Sequence, residues 1–182
     1  MPTAAILKTT AKPRLSVKAQ TLAAVAAVVG AVALPQIFHA LGAVSGLGTS
    51  LGEAFLPMHL PIILVGLLAG PYAGAVAGLF GLLASFALSG MPGVVMLPSM
   101  MIELCAYGLF AGLLHSGRRP AALKVVAVQA AGRAVRAAAI LLSVCALGNE
   151  SVQVPVIWTS ITKGIFGIVL QWALLPLIVY RV

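Results

Sequence analysis

Charge is what this sequence lacks most. Charged side chains make up 8% of it, against the roughly 25% usual in soluble domains. The three acids, all glutamate, stand against 11 lysines and arginines. So sparse a set cannot cover a water-facing surface, which excludes an ordinary soluble enzyme or carrier. Cysteine is as scarce. Cys105 and Cys145 both fall in apolar runs without CxxC spacing, where thiols behave as small hydrophobes, so neither a disulfide framework nor a metal site is expected. No GxxxxGK[ST] phosphate loop and no HExxH pair occurs, so any ATP hydrolysis belongs to another chain and no chemistry on a substrate is expected.

What the chain has is apolar length. Hydrophobic residues are 62% of 182 and the mean hydropathy is +1.14. At ~20 residues per span, about seven spans at most would fit, so a single compact bundle is expected, all-α and polytopic. A basic arm over residues 1–19 precedes a transmembrane domain over 20–182. Apolar runs predict six spans, at about 20–41, 54–69, 72–88, 97–115, 123–147 and 156–180. The glycine- and serine-rich stretch 42–52 is too glycine-rich for a stable helix and too apolar for a solvated loop. The small-residue triplet Ala31-Val32-Ala33 fits a cleavable signal peptide, but the apolar pattern continues through Ile37, Phe38 and Leu41 to spanning length.

A net charge of +8 invites a nucleic-acid reading, which the distribution of charge rejects. Lys8, Lys12, Arg14 and Lys18 precede the first span, Arg118, Arg119 and Lys124 follow the fourth, and Arg181 follows the sixth. Connections 42–53, 89–96 and 148–155 hold no Lys or Arg but do hold Glu53 and Glu150. Basic residues confined to alternate connections are the positive-inside signal, which places both termini in the cytosol and the chain in a cell membrane.

Ionisable groups within spans are costly and point to function. At 1.5 Å per residue, Glu103 lies roughly 9 Å below the outer start of its span, Lys163 roughly 10 Å below its own, and Arg136 roughly 16 Å below the outer end of the fifth. The three are expected to meet, with Arg133 one turn deeper on the Arg136 face. Two readings stand: an interhelical ion pair with a snorkelling arginine, or a polar cavity whose excess cation favours an anionic ligand. His59, Glu103, Arg136 and Lys163 are the leading candidates for substrate contact, and Arg133, Tyr107, Met100 and Trp158 the next. Trp158 near a span end is equally an interface anchor, His39 and His115 read as interface residues, and the other methionines read as gap fillers.

Ala23, Ala27 and Ala31 recur every four residues on the first span, a spacing that lets helices approach closely. With that stripe, the topology and the basic arm, the chain resembles the substrate-binding S components of energy-coupling factor (ECF) transporters. Leu56-Pro57-Met58-His59-Leu60-Pro61 with Gly66, Gly70 and Tyr72, Glu103-Leu104 with Tyr107-Gly108, and Gly132-Arg133 are similar to one group of vitamin S components. The resemblance implies capture of a vitamin-like small molecule at the outer face and a partnership with a transmembrane T component and two cytosolic ATPases. It also implies that Ala23, Ala27 and Ala31 touch the T component and that residues 42–53 form a lid. Glu53 and Lys163 depart from that pattern, so the nutrient does not carry over; a carboxylate such as pantothenate and an amine-bearing heterocycle both stay open. The rivals are an intramembrane enzyme built on His59 and Glu103, and a stand-alone transporter or channel, for which no inverted repeat is visible.

Overall fold

A computed structural model describes residues 15–117, 119–149 and 151–181. The basic arm through residue 14, Arg118 and Glu150 therefore lie outside the described residues. Those described form helices and turns only: α1 (Val17–Ser45), α2 (Ser50–Phe55), α3 (His59–Ala69), α4 (Pro71–Ser89), α5 (Leu97–Leu113), α6 (Ala121–Cys145), α7 (Val156–Lys163) and α8 (Ile165–Arg181).

Local chemistry sets the ends. The Ser16 hydroxyl caps α1 by accepting from the Ala19 amide at 3.3 Å, one of the amides a helix start leaves without partners. Helix α1 runs through Pro35 and past the expected end at 41, so most of the glycine-rich stretch is helical after all. Its glycines are used for close approach: the Gly48 amide donates to Gly42 O at 2.9 Å, and a Cβ on Gly42 would overlap Gly48. Only residues 46–49 separate α1 from α2. The second apolar run breaks at Leu56, whose φ of 49° is left-handed and sits before Pro57. Proline occupies the first turn of α4, where its missing amide costs nothing.

Three segments form single helices long and apolar enough to cross a membrane, α1, α4 and α6, and a fourth is α2 with α3 (Ser50–Ala69). Helices α7 and α8 meet at a 56° bend and supply a fifth if the pair counts as one span. Helix α5 is apolar but has 17 residues, roughly 25 Å of rise, short of the ~30 Å hydrocarbon core. The sequence had α7 and α8 as one straight span. The bend falls at Gly164, where the Leu56 side chain lies 2.7 Å from the position a Cβ would take.

Glycine faces seat the central helices. Gly74 of α4 and Gly108 of α5 are so close that a Cβ on either would overlap the other's backbone, and a Cβ on Gly66 of α3 would stand 2.6 Å from Gly108 O. Without a hydrophobic drive in lipid, this contact of backbones is what holds membrane helices together. Ile62, Ile63, Leu82, Leu104 and Ala111 are buried around it, while Leu22, Val29, Leu88, Leu113, Leu142 and Phe166 are exposed, as a lipid-facing surface requires. The α1 stripe is used inside the same core. Ala27 and Ala31 are buried and Ala23 packs against the buried cluster, with Ala31 Cβ 3.0 Å from the position of a Gly81 Cβ. The physical reason is that α3 and α4 need the close approach themselves, and the outward face of α1 is instead Leu22, Val25, Ala26, Val29 and Ala33.

Candidate functional site

A cavity of about 450 Å³ opens at the end of the bundle where α1 finishes, within the range of small-molecule sites. Its wall comes from Pro35 and His39 of α1, Glu53 of α2, the Leu56–Met58 turn, His59 of α3, Met100 and Glu103 of α5, Arg133 and Arg136 of α6, and Thr159, Ser160 and Lys163 of α7, with Met91 and Met96 from the α4–α5 connection.

Glu103 is the organising group. It is 1% exposed, accepts from the Tyr107 hydroxyl one helical turn away at 2.9 Å, and accepts from Arg136 Nη1 at 2.9 Å through its other oxygen. A buried carboxylate is tolerated only when paired and hydrogen-bonded in this way. Tyr107 is fully buried and lies behind Glu103, outside the cavity lining. Its ring fits because α6 carries no side chain at Gly132: a Cβ there would overlap the ring. The His59 ring stands edge-on to Tyr107, with centroids 5.2 Å apart and an interplanar angle of 62°. Three buried side-chain nitrogens have no hydrogen-bond partner among the described residues: His59 Nδ1, Arg133 Nε and Arg136 Nε.

Lys163 departs from expectation. It lines the cavity but does not join Glu103; its Nζ donates to Glu53 Oε2 at 2.9 Å across the mouth, with side-chain exposures of 63% and 49%. The bend after Lys163 is the reason, because a depth counted along one straight helix cannot anticipate it. The two residues that break the family pattern are thus each other's partners. Met100 lines the cavity. Trp158 does not and is 71% exposed, the position of an interface anchor. His115 sits at the far end, with Nδ1 2.8 Å from Leu67 O.

Several groups went unnoticed in the sequence. Thr159 and Ser160 reach the wall, with the serine and threonine hydroxyls clustered in 159–162 as the available signal, and His39, read from the sequence as an interface residue, lines it too. Behind the site runs a buried amide chain: Trp172 Nε1 donates to Gln129 Oε1 (2.6 Å), Gln129 Nε2 to Gln171 Oε1 (2.7 Å), and Gln171 Nε2 to Leu56 O (3.2 Å). It fixes the left-handed Leu56 turn between α2 and α3. Phe55 of α2 rests on Phe38 of α1, with centroids 5.3 Å apart. Gly48-Thr49-Ser50-Leu51-Gly52 has GxSxG spacing, but it opens a helix rather than turning from strand to helix and so lacks the setting of a nucleophile elbow. No group of three or more His, Cys, Asp or Glu stands close enough to hold a metal among the described residues.

No characterised protein and no solved structure shows a significant match to the chain. A family model does: residues 17–179 match that of the ECF transporter, substrate-specific component. A bundle of apolar helices long enough to cross a membrane, enclosing a largely apolar cavity with a few charged groups in its wall and matched to that family over nearly its whole length, belongs to the substrate-specific S components of ECF transporters and is a substrate-binding transporter subunit.

Proposed function

We propose that this S component captures a vitamin or related small nutrient in the cavity between α2, α3, α5, α6 and α7, taking it from outside the cell. Pantothenate-like compounds and other small heterocyclic or carboxylate nutrients fit the wall, with His59, Glu103, Arg136, Arg133 and Met100 as contacts, Tyr107 as support for Glu103, and Lys163 acting through its pair with Glu53 at the mouth. The observation that carries the reading is the cavity itself, where His59 Nδ1 and both arginine Nε atoms lack partners. Polar groups at membrane depth are retained where they meet a ligand or one another.

Counting α5 and the bent α7–α8 pair as spans gives six and puts both termini on one side. Lys18, Arg119, Lys124 and Arg181 belong to the end away from the cavity, which the positive-inside rule assigns to the cytosol. The cavity then faces outwards from a prokaryotic inner membrane. Residues 42–53 act as its lid. A T component and two ATPases energise release, and with Ala27 and Ala31 buried, the outward face of α1 around Ala26 and Ala33 meets the T component.

The test is affinity purification of the tagged full chain from its host's membranes together with nutrient uptake by those cells. Recovery of a T-type membrane protein with two ATPases, and uptake that stops when the ATPases are inactivated, is the expected result. Recovery of the chain alone with uptake independent of ATP hydrolysis would mean a stand-alone transporter.

A further inference from the structure

The bound molecule's charge can be read from how the cavity's own charges are used. Three cations line it, Arg133, Arg136 and Lys163, and two carboxylates, Glu53 and Glu103. Each carboxylate is committed: Glu53 to Lys163 and Glu103 to Arg136, both at 2.9 Å. One positive charge is left over, and geometry assigns it to Arg133, which among the described residues makes no ion pair and has no hydrogen-bond partner for its buried Nε.

Resting on the capture reading above, we propose that the ligand is a small monocarboxylate whose carboxylate docks on Arg133. A planar guanidinium fork matches a carboxylate through two parallel hydrogen bonds. The leftover charge of one fixes the ligand's charge. A phosphate monoester, at about −1.5 to −2 near neutral pH, overshoots it, and an amine or a zwitterion leaves Arg133 unbalanced in a medium that penalises unpaired charge. His59 Nδ1, also buried and unpartnered, takes a neutral hydroxyl or amide of the same ligand. Leu56, Met58, Met96 and Met100 give the rest of the wall an apolar, adaptable surface suited to a short hydrocarbon body. The ligand is thus a monocarboxylate with an apolar middle and at least one neutral hydrogen-bonding group.

The experiment uses the full chain in lipid nanodiscs and yeast extract separated by ion exchange into cationic, neutral, monoanionic and polyanionic fractions. The monoanionic fraction is expected to raise the wild-type unfolding midpoint by about 5 °C and to leave Arg133→Gln unmoved, with Arg133→Lys in between. Without ligand, Arg133→Gln unfolds no lower than wild type, because it removes a charge that nothing balances. Mass spectrometry of the stabilising component then reports one carboxylate. Stabilisation by any of the other three fractions, or an equal response of Arg133→Gln, overturns the monocarboxylate and leaves nutrient capture standing. Should no fraction stabilise the wild type, both fall. The charge class is read on the wild-type protein, so a variant that failed to fold would not shield the proposal.

Discussion

Arg136→Met isolates the strongest polar interaction in the bundle. The Arg136–Glu103 pair spans 2.9 Å with side-chain exposures of 12% and 1%, so water screens little of it. Removing one partner of such a pair costs about 3–5 kcal/mol, because the other charge stays buried and unmet. Here the Tyr107 hydroxyl still donates to Glu103, and a hydrogen bond to a charged group holds back about 1.5–3 kcal/mol. The loss expected for Arg136→Met is therefore about 1.5–2 kcal/mol. Glu103→Gln alone strands Arg136, and the double variant removes both charges, so it should be more stable than the sum of the singles by about 1–3 kcal/mol. Unfolding of the full chain in mixed micelles, followed by circular dichroism across the four proteins, gives the cycle. An Arg136→Met loss below about 0.5 kcal/mol, or strict additivity, would show that Glu103 is satisfied by other means and would refute the reasoning.

Three further outcomes follow from the same geometry. Gly132→Ala drives a methyl into the Tyr107 ring, which should destabilise the chain by about 1–3 kcal/mol and weaken ligand binding through Glu103; an unchanged affinity in a thermal-shift titration would dismiss that link. Gln171→Leu leaves Gln129 Nε2 without its acceptor and removes one of the two hydrogen bonds to Leu56 O, which still accepts from the His59 amide; the expected cost is about 1–3 kcal/mol, with faster hydrogen exchange at residues 56–59 as its mark. The exposed Glu53–Lys163 pair should contribute no more than about 1 kcal/mol, so Glu53→Gln and Lys163→Gln should change ligand dissociation by similar small factors. Those factors should not multiply in the double variant and should shrink in high salt; independent effects would mean that Lys163 touches substrate by itself.

Long apolar runs and glycine breaks made most helices legible in the sequence, because a membrane allows few other ways to satisfy a backbone. The meeting of Glu103 and Arg136 was legible too, from depth arithmetic along two straight helices. Lys163 escaped that arithmetic because α7 and α8 meet at a 56° bend around Gly164, so α7 does not continue the line of α8, and the neighbour packed on that glycine, Leu56, is distant in sequence. The role of the Ala27–Ala31 stripe was ambiguous for a related reason: spacing shows that a helix is approached closely, never by which neighbour. The helical state of 42–45 was hidden because glycine propensity argued for a loop, whereas Gly42 is needed for contact with Gly48. The Gln129–Gln171–Trp172 chain carries no local pattern, since its members are joined only once α6 and α8 are side by side.

Whether the cavity holds a nutrient is tested most directly by a cryo-electron-microscopy map of the full chain in nanodiscs, purified from cells grown in rich medium. The expected map has small-molecule density between Arg133, His59 and Met100, beneath α2. A map in which side chains of α5 and α6 close that space, with ligand bound elsewhere or absent, would contradict it.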